Sequence, residues 1–273
     1  MTIPTFQKKI LSWYQKNGRD LPWRHTEDPY KILVSEIMLQ QTQVSRVIPK
    51  YELFLKSFPT VESLSKTKTA KLLEVWSGLG YWRRAKFLKQ TAIEIAKNHS
   101  GKFPKTPGEL QKLPGIGPYT AGAVACFAFS SREPFIDTNI RRVYLHFFFP
   151  EQKDISDSEI FPIAKRAVPK NDPRRWGWAL FDYGATELKE TAINKRSRHY
   201  TKQSKFEGSF RSFRAKAVKK LLASPNQKLS RAELFDYLEE EIRSAEQDWS
   251  AEQVLTALQK DNLIKQNKNS YSL

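Results

Sequence analysis

Two carboxylates and a glycine turn carry the chemistry that this chain could perform. Glu36 lies in Ser35-Glu36-Ile37-Met38-Leu39-Gln40-Gln41-Thr42-Gln43, and Asp137 lies in Ile136-Asp137-Thr138-Asn139. Between them runs Leu113-Pro114-Gly115-Ile116-Gly117-Pro118-Tyr119-Thr120-Ala121-Gly122. A carboxyl flanked by Tyr30, Ile32, Leu33, Val34, Ile37, Met38 and Leu39 loses solvation, which raises its pKa and favours the protonated form that a general acid needs. A second carboxylate that stays ionised can stabilise a sugar cation, as carboxylate pairs do in glycoside hydrolysis. The glycine turn can present backbone N–H groups to a phosphate, because glycines permit positive φ and close approach and a helix start leaves amides unpaired. Together these are the parts needed to cut a glycosidic bond in DNA.

Each feature also has an ordinary reading. Asp137 before Thr138-Asn139-Ile140-Arg141-Arg142-Val143 is a good helix N-cap, a role compatible with chemistry. Glu36 near a helix end can reach solvent or pair with an arginine, and Gly-x-Gly occurs in many tight helix–helix turns. The residues by themselves leave these alternatives open.

The elements that must position these groups are helices. Asp28 caps a helix with Pro29 at its first position, running through Tyr30, Leu33, Val34 and Ile37 to about Gln40. Thr42 is expected to cap the next, through Val44, Val47, Tyr51 and Leu55. Thr69 opens a helix ending at Gly78, and Tyr81 begins one that stops near Asn98. Pro107 opens a short helix over Glu109 to Leu113, the Gly115–Gly117 hairpin follows, and an apolar helix runs from Pro118 to about Phe129. Alternating strand patterns are scarce, so residues 1–190 read as an all-α body. From Lys189 to Lys220 eleven Lys and Arg face only Glu190 and Glu207, which reads as a basic connector over 191–213. Residues 214–273 regain helical period at Ala217–Leu222, Arg231–Ile242 behind Ser230, and Ala251–Leu263 behind Ser250. With a polar end that can form a β-wing, they predict a small winged-helix-like or purely helical domain.

Bulk properties agree with a nucleic-acid partner. The chain has 273 residues, 40% hydrophobic content and a formal charge of +17, enough for a sizeable core and basic enough to meet a polyanion. The single cysteine, Cys126, lies in an apolar run and is expected to be a small core residue. Met1-Thr2-Ile3-Pro4-Thr5 lacks the pattern of a secretory signal, and no apolar stretch suits a membrane span. The expected location is the cytoplasm, in association with the nucleoid.

Leu21-Pro22-Trp23-Arg24, Asp28-Pro29-Tyr30, the Glu36 segment through Val44, Gly78-Leu79-Gly80-Tyr81, the hairpin and Ile136-Asp137-Thr138-Asn139 occur in this order. In these strings, over about residues 5 to 190, the chain resembles the MutY-type adenine DNA glycosylases of the helix-hairpin-helix superfamily. The resemblance implies a two-lobed helical body acting on double-stranded DNA that contains a mispaired adenine. It implies that Glu36 protonates N7 of a flipped adenine, and that Asp137 stabilises the oxocarbenium-like sugar and positions a water or a transient covalent species. Asn139 would hold the water or Glu36, and Tyr119 would act beside them. Trp23 and Arg24 would line the base pocket, with Asp182 supporting them. Gln41 and Tyr81 would fill the gap left by the flipped base, while Gly115, Gly117 and Thr120 would contact the DNA backbone. Relatives that also nick the strand carry a lysine where this chain has Tyr119, and tyrosine cannot form the Schiff base. A monofunctional monomer that leaves an abasic site is therefore expected.

The chain departs from that family in three places. Most relatives hold a [4Fe–4S] cluster with four cysteines after a segment like Gly184-Ala185, and here no cysteine follows, so no cluster and no metal are expected. The tail after Lys205 looks too short and too helical for the domain that reads 8-oxoguanine in typical members. Thr138 stands where a glycine is usual. Alternatives to adenine removal are a glycosylase for thymine or uracil opposite guanine, which retention of Glu36 argues against, and a non-catalytic DNA-binding module, which retention of both carboxylates argues against. If the charge serves phosphate contacts, affinity for duplex DNA should fall steeply as salt rises, because those contacts release counterions. A titration series across salt concentrations checks this, and a flat response contradicts the electrostatic reading.

Overall fold

A computed structural model describes residues 1–188, 191–202 and 204–273, with the backbone alone described at Thr191. Lys189 and Glu190, with which the basic stretch begins, and the boundary expected at residue 190 lie outside the described residues. The chain order is α1 (Ile3–Asn17), α2 (Pro29–Leu39), α3 (Val44–Ser57), α4 (Val61–Lys66), α5 (Thr69–Trp76), α6 (Arg83–Asn98), α7 (Pro107–Leu110), α8 (Pro118–Phe129), α9 (Thr138–Phe148), α10 (Asp157–Ala167), α11 (Pro173–Thr186), α12 (Thr191–Asn194), α13 (Phe210–Ala223), α14 (Arg231–Ser244) and α15 (Ala251–Lys260). Three short strands complete it: β1 (Lys228–Ser230), β2 (Lys265–Asn267) and β3 (Ser270–Ser272). Residues 1–36 with 103–202 form one compact unit, and residues 37–102 with 203–273 form another.

In the first unit α11 packs on α9, α1 and α8. Phe6 of α1 is fully buried among the rings of Tyr144, Phe147, Phe148 and Trp176. Helix α8 is apolar on all sides and buried from Thr120 to Phe127, as its sequence predicts. Two glycines set how close its neighbours come. A Cβ at Gly122 would lie 2.5 Å from Cβ of Phe135, and one at Gly184 would overlap the Asn139 carbonyl. Helix α7 is fixed by a Thr106–Glu109 capping box and leads through the buried Leu113 and Ile116 into α8.

In the second unit α4 packs on α6, α3 on α5, and α13 on α5, α14 and α15. The last seventy residues form three helices and an antiparallel sheet of order β1-β3-β2, with Tyr271 opposite both Leu229 and Gln266. Phe213, Val218, Leu234, Leu238, Val254, Leu258 and Tyr271 bury their side chains there. Ser230 and Ser250 cap α14 and α15 through capping boxes, as expected. Among the described residues no helix is long and apolar enough to cross a membrane.

Several boundaries differ from the sequence reading. Thr42 does not cap α3, whose N-cap is Gln43, because its hydroxyl accepts a hydrogen bond from Arg84 at 3.0 Å. Tyr81 does not open α6, because its φ of +46° is left-handed. Helix α13 begins seven residues before Ala217, and α15 ends at Lys260 rather than Leu263. Part of the stretch read as a connector is tied down: Ile155 N–H donates to Arg196 O and Arg198 N–H to Ile155 O, each at 3.0 Å.

Substituting Gly184 by alanine should destabilise the protein by roughly 1–3 kcal/mol, because the added methyl must push α11 off α9. A lowered urea midpoint checks this, and an unchanged midpoint contradicts the close contact.

Candidate active site

Glu36 is 4% exposed, on the residues of α2 where Ile32, Leu33, Val34 and Ser35 are also buried. Its Oε2 accepts the Tyr119 hydroxyl at 2.5 Å. Burial raises its carboxyl to about 7, with the Tyr119 hydrogen bond opposing the rise and the charge of Asp137 adding to it. The acid is therefore part protonated at neutral pH. The same burial, with Glu36 and Asp137 nearby, holds the Tyr119 phenol well above its usual range, so it remains a donor.

Asp137 is the N-cap of α9. Its Oδ1 accepts the Ile140 N–H at 2.7 Å, and its Oδ2 accepts the Asn139 side-chain amide at 3.0 Å. The capping reading is therefore correct as far as it goes. Burial raises this carboxyl too, while the amides of Ile140 and Asn139, the Asn139 side chain and the charge of Arg141 oppose it. Those opposing groups favour the ionised form, whereas at Glu36 the Tyr119 hydrogen bond and the charge of Arg24 favour it. The two carboxyls thus differ in their partners: Asp137 accepts from a backbone amide and a side-chain amide, and Glu36 from a phenol. Asn139 donates to Asp137 and not to Glu36, which corrects one of the two roles expected for it.

Arg24 and Asp182 come together beside this pair. Arg24 Nη1 and Nη2 donate to the two oxygens of Asp182 at 2.8 Å each, and Nη1 also donates to Arg19 O at 2.7 Å. Its Nε is buried without a hydrogen-bond partner among the described residues. The guanidinium lies 5.6 Å from the Trp178 ring centre and 5.9 Å from that of Tyr14. Burial would raise the fully buried Asp182 carboxyl, but Arg24 and Arg19 outweigh it and hold it below its usual value. Trp23 is buried on a short 3₁₀ turn, Pro22–Arg24. Arg19, Tyr14, Phe135 and Phe181 belong to this neighbourhood and were not anticipated. Arg19 binds Asp182 through both its backbone N–H and its side chain, and the two phenylalanine rings pack against Tyr119. Arg19 meets Asp182 across 163 residues, which no local sequence signal reveals.

The hairpin differs in detail from the expectation. Gly115 has φ +74°, but Gly117 has φ −85°, open to any residue, and a Cβ there would meet nothing within 4 Å. Both glycines are exposed, and Gly117 has no side chain with which to cap α8. Thr120 is 2% exposed, so its side chain does not face solvent. Gln41 and Tyr81 belong to the second unit and are both left-handed, at φ +55° and +46°. Backbone strain in non-glycine residues costs about 1–3 kcal/mol each and persists only where surroundings enforce it. Arg84 enforces it here. It donates to the carbonyls of Ile37, Met38 and Gln40 at 2.6–2.9 Å, and to Leu79 O at 3.1 Å.

An iron–sulfur cluster does not fit these residues. Cys126 is the single cysteine, and its Sγ donates to Pro173 O at 3.3 Å inside the core. Burial pushes that thiol up to about 12, far from the thiolate that a cluster needs. Among the described residues no group of three or more His, Cys, Asp or Glu could hold a metal ion. Arg196 and Arg198 hold Phe149 O and Asp154 at 3.0 and 2.7 Å.

Residues 34–170 match the family model described as HhH-GPD superfamily base excision DNA repair protein. The chain is 40% identical over 190 residues to an adenine DNA glycosylase of Buchnera aphidicola subsp. Baizongia pistaciae, covering 68% of this chain and 53% of that one. It is 47% identical over 135 residues to an adenine DNA glycosylase of Mycobacterium tuberculosis, covering 49% of this chain and 44% of that one. The chain thus spans about half the length of the curated relatives it matches. Among solved structures, a thermostable thymine-DNA glycosylase superposes with a TM-score of 0.64 at 30% identity, covering 67% of this chain and 86% of that one.

The raised Glu36 pKa has a definite linkage to stability. The unfolded carboxyl ionises near 4.5 and the folded one near 7, so the folded state binds the extra proton between them. Stability from this group is therefore full below about 4.5 and declines as pH rises through 7. Glu36→Gln removes the charge that must be buried. Relative to the unsubstituted protein, its urea midpoint should be higher at pH 8 than at pH 5, and a pH-independent difference contradicts the raised pKa.

Proposed function

The chain belongs to the HhH-GPD superfamily of base excision DNA repair proteins, and from that premise we propose that it is a monofunctional DNA glycosylase removing adenine mispaired with 8-oxoguanine or guanine. The observation that carries this reading is the buried Glu36 carboxyl, held near neutrality and hydrogen-bonded to Tyr119 beside the capped Asp137. The adenine DNA glycosylases that it matches support the choice of base.

Adenine is a poor leaving group as an anion, and a base inside a duplex cannot be reached. The target nucleoside is therefore extruded, and Gln41 and Tyr81 are the proposed wedges that offset the lost stacking. Glu36 donates its proton to N7, the glycosidic electron pair leaves with the purine, and positive charge develops on the sugar. Asp137, oriented by Asn139 and the Ile140 amide, stabilises that charge and directs the attacking water or forms a transient bond to the sugar. Trp23 and Arg24 are proposed to shape the base pocket, with Asp182 fixing Arg24. Gly117 lacks a Cβ where no described atom lies within 4 Å to oppose one, which suits close approach by a phosphate, and the exposed Gly115 joins that contact. Tyr119 supplies no amine, so no strand cleavage follows. No step passes through an iron–sulfur cluster.

In this reading residues 1–190 are the catalytic body, 191–213 a basic connector and 214–273 a small appended domain. Residues 204–273 carry twelve Lys and Arg against ten Asp and Glu, so the electrostatic attraction to DNA is assigned upstream of them. We place the enzyme on DNA as a monomer in the cytoplasm. A second reading, removal of thymine opposite guanine, is favoured by the structural relative at 30% identity. A pyrimidine offers no N7 to the Glu36 acid, which favours adenine.

Duplexes carrying A opposite 8-oxoguanine, G or C, and T or U opposite G, treated with alkali after incubation, separate these readings. Release of adenine is expected, and release of pyrimidine alone overturns the proposal. Asp137→Asn keeps a good helix cap, so base release should fall by at least about a thousandfold while duplex affinity changes by less than about twofold. Single-turnover rates should fall as pH rises through about 7, where Glu36 loses its proton.

A further inference from the structure

The wedge proposed at Tyr81 is gripped by an arginine from the C-terminal tail. Tyr81 is half-buried, and its left-handed backbone is fixed from one side by Arg84, which holds Leu79 O at 3.1 Å and lies 5.3 Å from the Tyr81 ring centre. On the ring itself a second guanidinium, Arg211 of α13, lies at 5.5 Å. Arg211 Nη1 donates to the Tyr81 hydroxyl, while its Nη2 donates to Ser204 O at 3.0 Å and Ser204 Oγ at 3.3 Å. The guanidinium therefore bridges the start of the tail and the tip of the loop. Its own helix is anchored: Phe213, Ala217, Val218 and Leu221 are fully buried, and α13 packs on α5.

This geometry has a consequence for the tail. An aromatic side chain on a strained loop samples several orientations unless neighbours select one. Arg84 fixes the backbone beneath the ring, and Arg211 binds the hydroxyl at the ring's far end. A planar guanidinium can stack on the ring and hydrogen-bond at the same time, which a lysine cannot reproduce. We propose that Arg211 is a positioning residue for base extrusion, so that the tail prepares Tyr81 rather than serving as a separate phosphate-binding module. The proposal rests on the glycosylase reading and deepens it by giving the tail a task in that reaction. The near balance of charge over residues 204–273 agrees with a mechanical role.

The test uses the full chain and a duplex with 2-aminopurine at the target adenine, whose fluorescence rises on unstacking, alongside single-turnover adenine release. Arg211→Met should lower both the fluorescence gain and the release rate by about tenfold, with affinity for abasic-site duplex kept within about twofold. Arg211→Lys should recover part of the loss. Tyr81→Phe, which removes only the hydroxyl, should lose about threefold alone and add little to Arg211→Met, since both remove one interaction. Urea midpoints within error of the unsubstituted protein show that folding is not the cause. If Tyr81→Leu abolishes extrusion while Arg211→Met leaves it unchanged, the inference falls and the glycosylase reading stands. Multiplicative effects of Arg211→Met and Tyr81→Phe, or silence of every Tyr81 variant in an active enzyme, also overturn it. If the unsubstituted protein releases no base from any mispair, the glycosylase reading itself has failed.

Discussion

A carboxyl group withdrawn from water, with a phenol as its hydrogen-bond donor, is the constraint on which the site depends. Charging Glu36 inside α2 is unfavourable because burial strips its solvation, which the Tyr119 hydrogen bond and the charge of Arg24 only partly offset. The proton consequently stays on at a pH where an exposed glutamate would have lost it. Everything nearby either preserves that condition or exploits it. Tyr119 stays protonated and can only donate, and Phe135 and Phe181 pack against its ring. Arg24 is close enough to lower the Glu36 pKa, yet its two terminal nitrogens are committed to Asp182. That commitment keeps a buried cation beside the acid without neutralising its effect.

Asp137 shows the opposite arrangement with the same functional group. A helix start supplies it with an amide, and Asn139 supplies another donor, so the anionic form has partners. The cap and the chemistry are one arrangement: the hydrogen bonds that begin α9 also aim the carboxylate. Gly184 extends the dependence to α11, because only a residue without a side chain lets that helix press against the Asn139 carbonyl. A fold-level contact thereby bears on the backbone of the residue whose side chain holds Asp137.

The second unit solves a different problem. It presents Gln41 and Tyr81 from backbone conformations that such residues rarely adopt. Arg84 makes this possible by gathering the carbonyls left over at the end of α2 and those of the glycine turn onto one guanidinium, between the rings of Trp76 and Tyr81. Two terminal nitrogens in a rigid plane suit that task, and burial lowers the Arg84 pKa to about 10 without removing its charge at neutral pH.

Much of this protein is written locally in its chain. The Asp28-Pro29 start, the Ser230 and Ser250 caps, the all-apolar α8, the buried Cys126 and the turn at Gly115 follow from residues within a few positions of one another, so they are legible by inspection. The burial of Glu36 was also foreseeable, because its helix is apolar nearly all round. The partners are written in no short segment, although the family resemblance implies Tyr119 beside Glu36 and Asp182 behind Arg24. Tyr119 meets Glu36 across 83 residues, Asp182 meets Arg24 across 158, and Arg211 meets Tyr81 across 130. Local rules even misled where a distant group competed: Thr42 has the composition of a cap, yet Arg84 takes its hydroxyl and Gln43 begins the helix. Residue types set which groups can ionise, cap or stack, since those are properties of short segments. Only the packed chain decided which of them meet, because desolvation and hydrogen bonding depend on neighbours that arrive from far along the sequence.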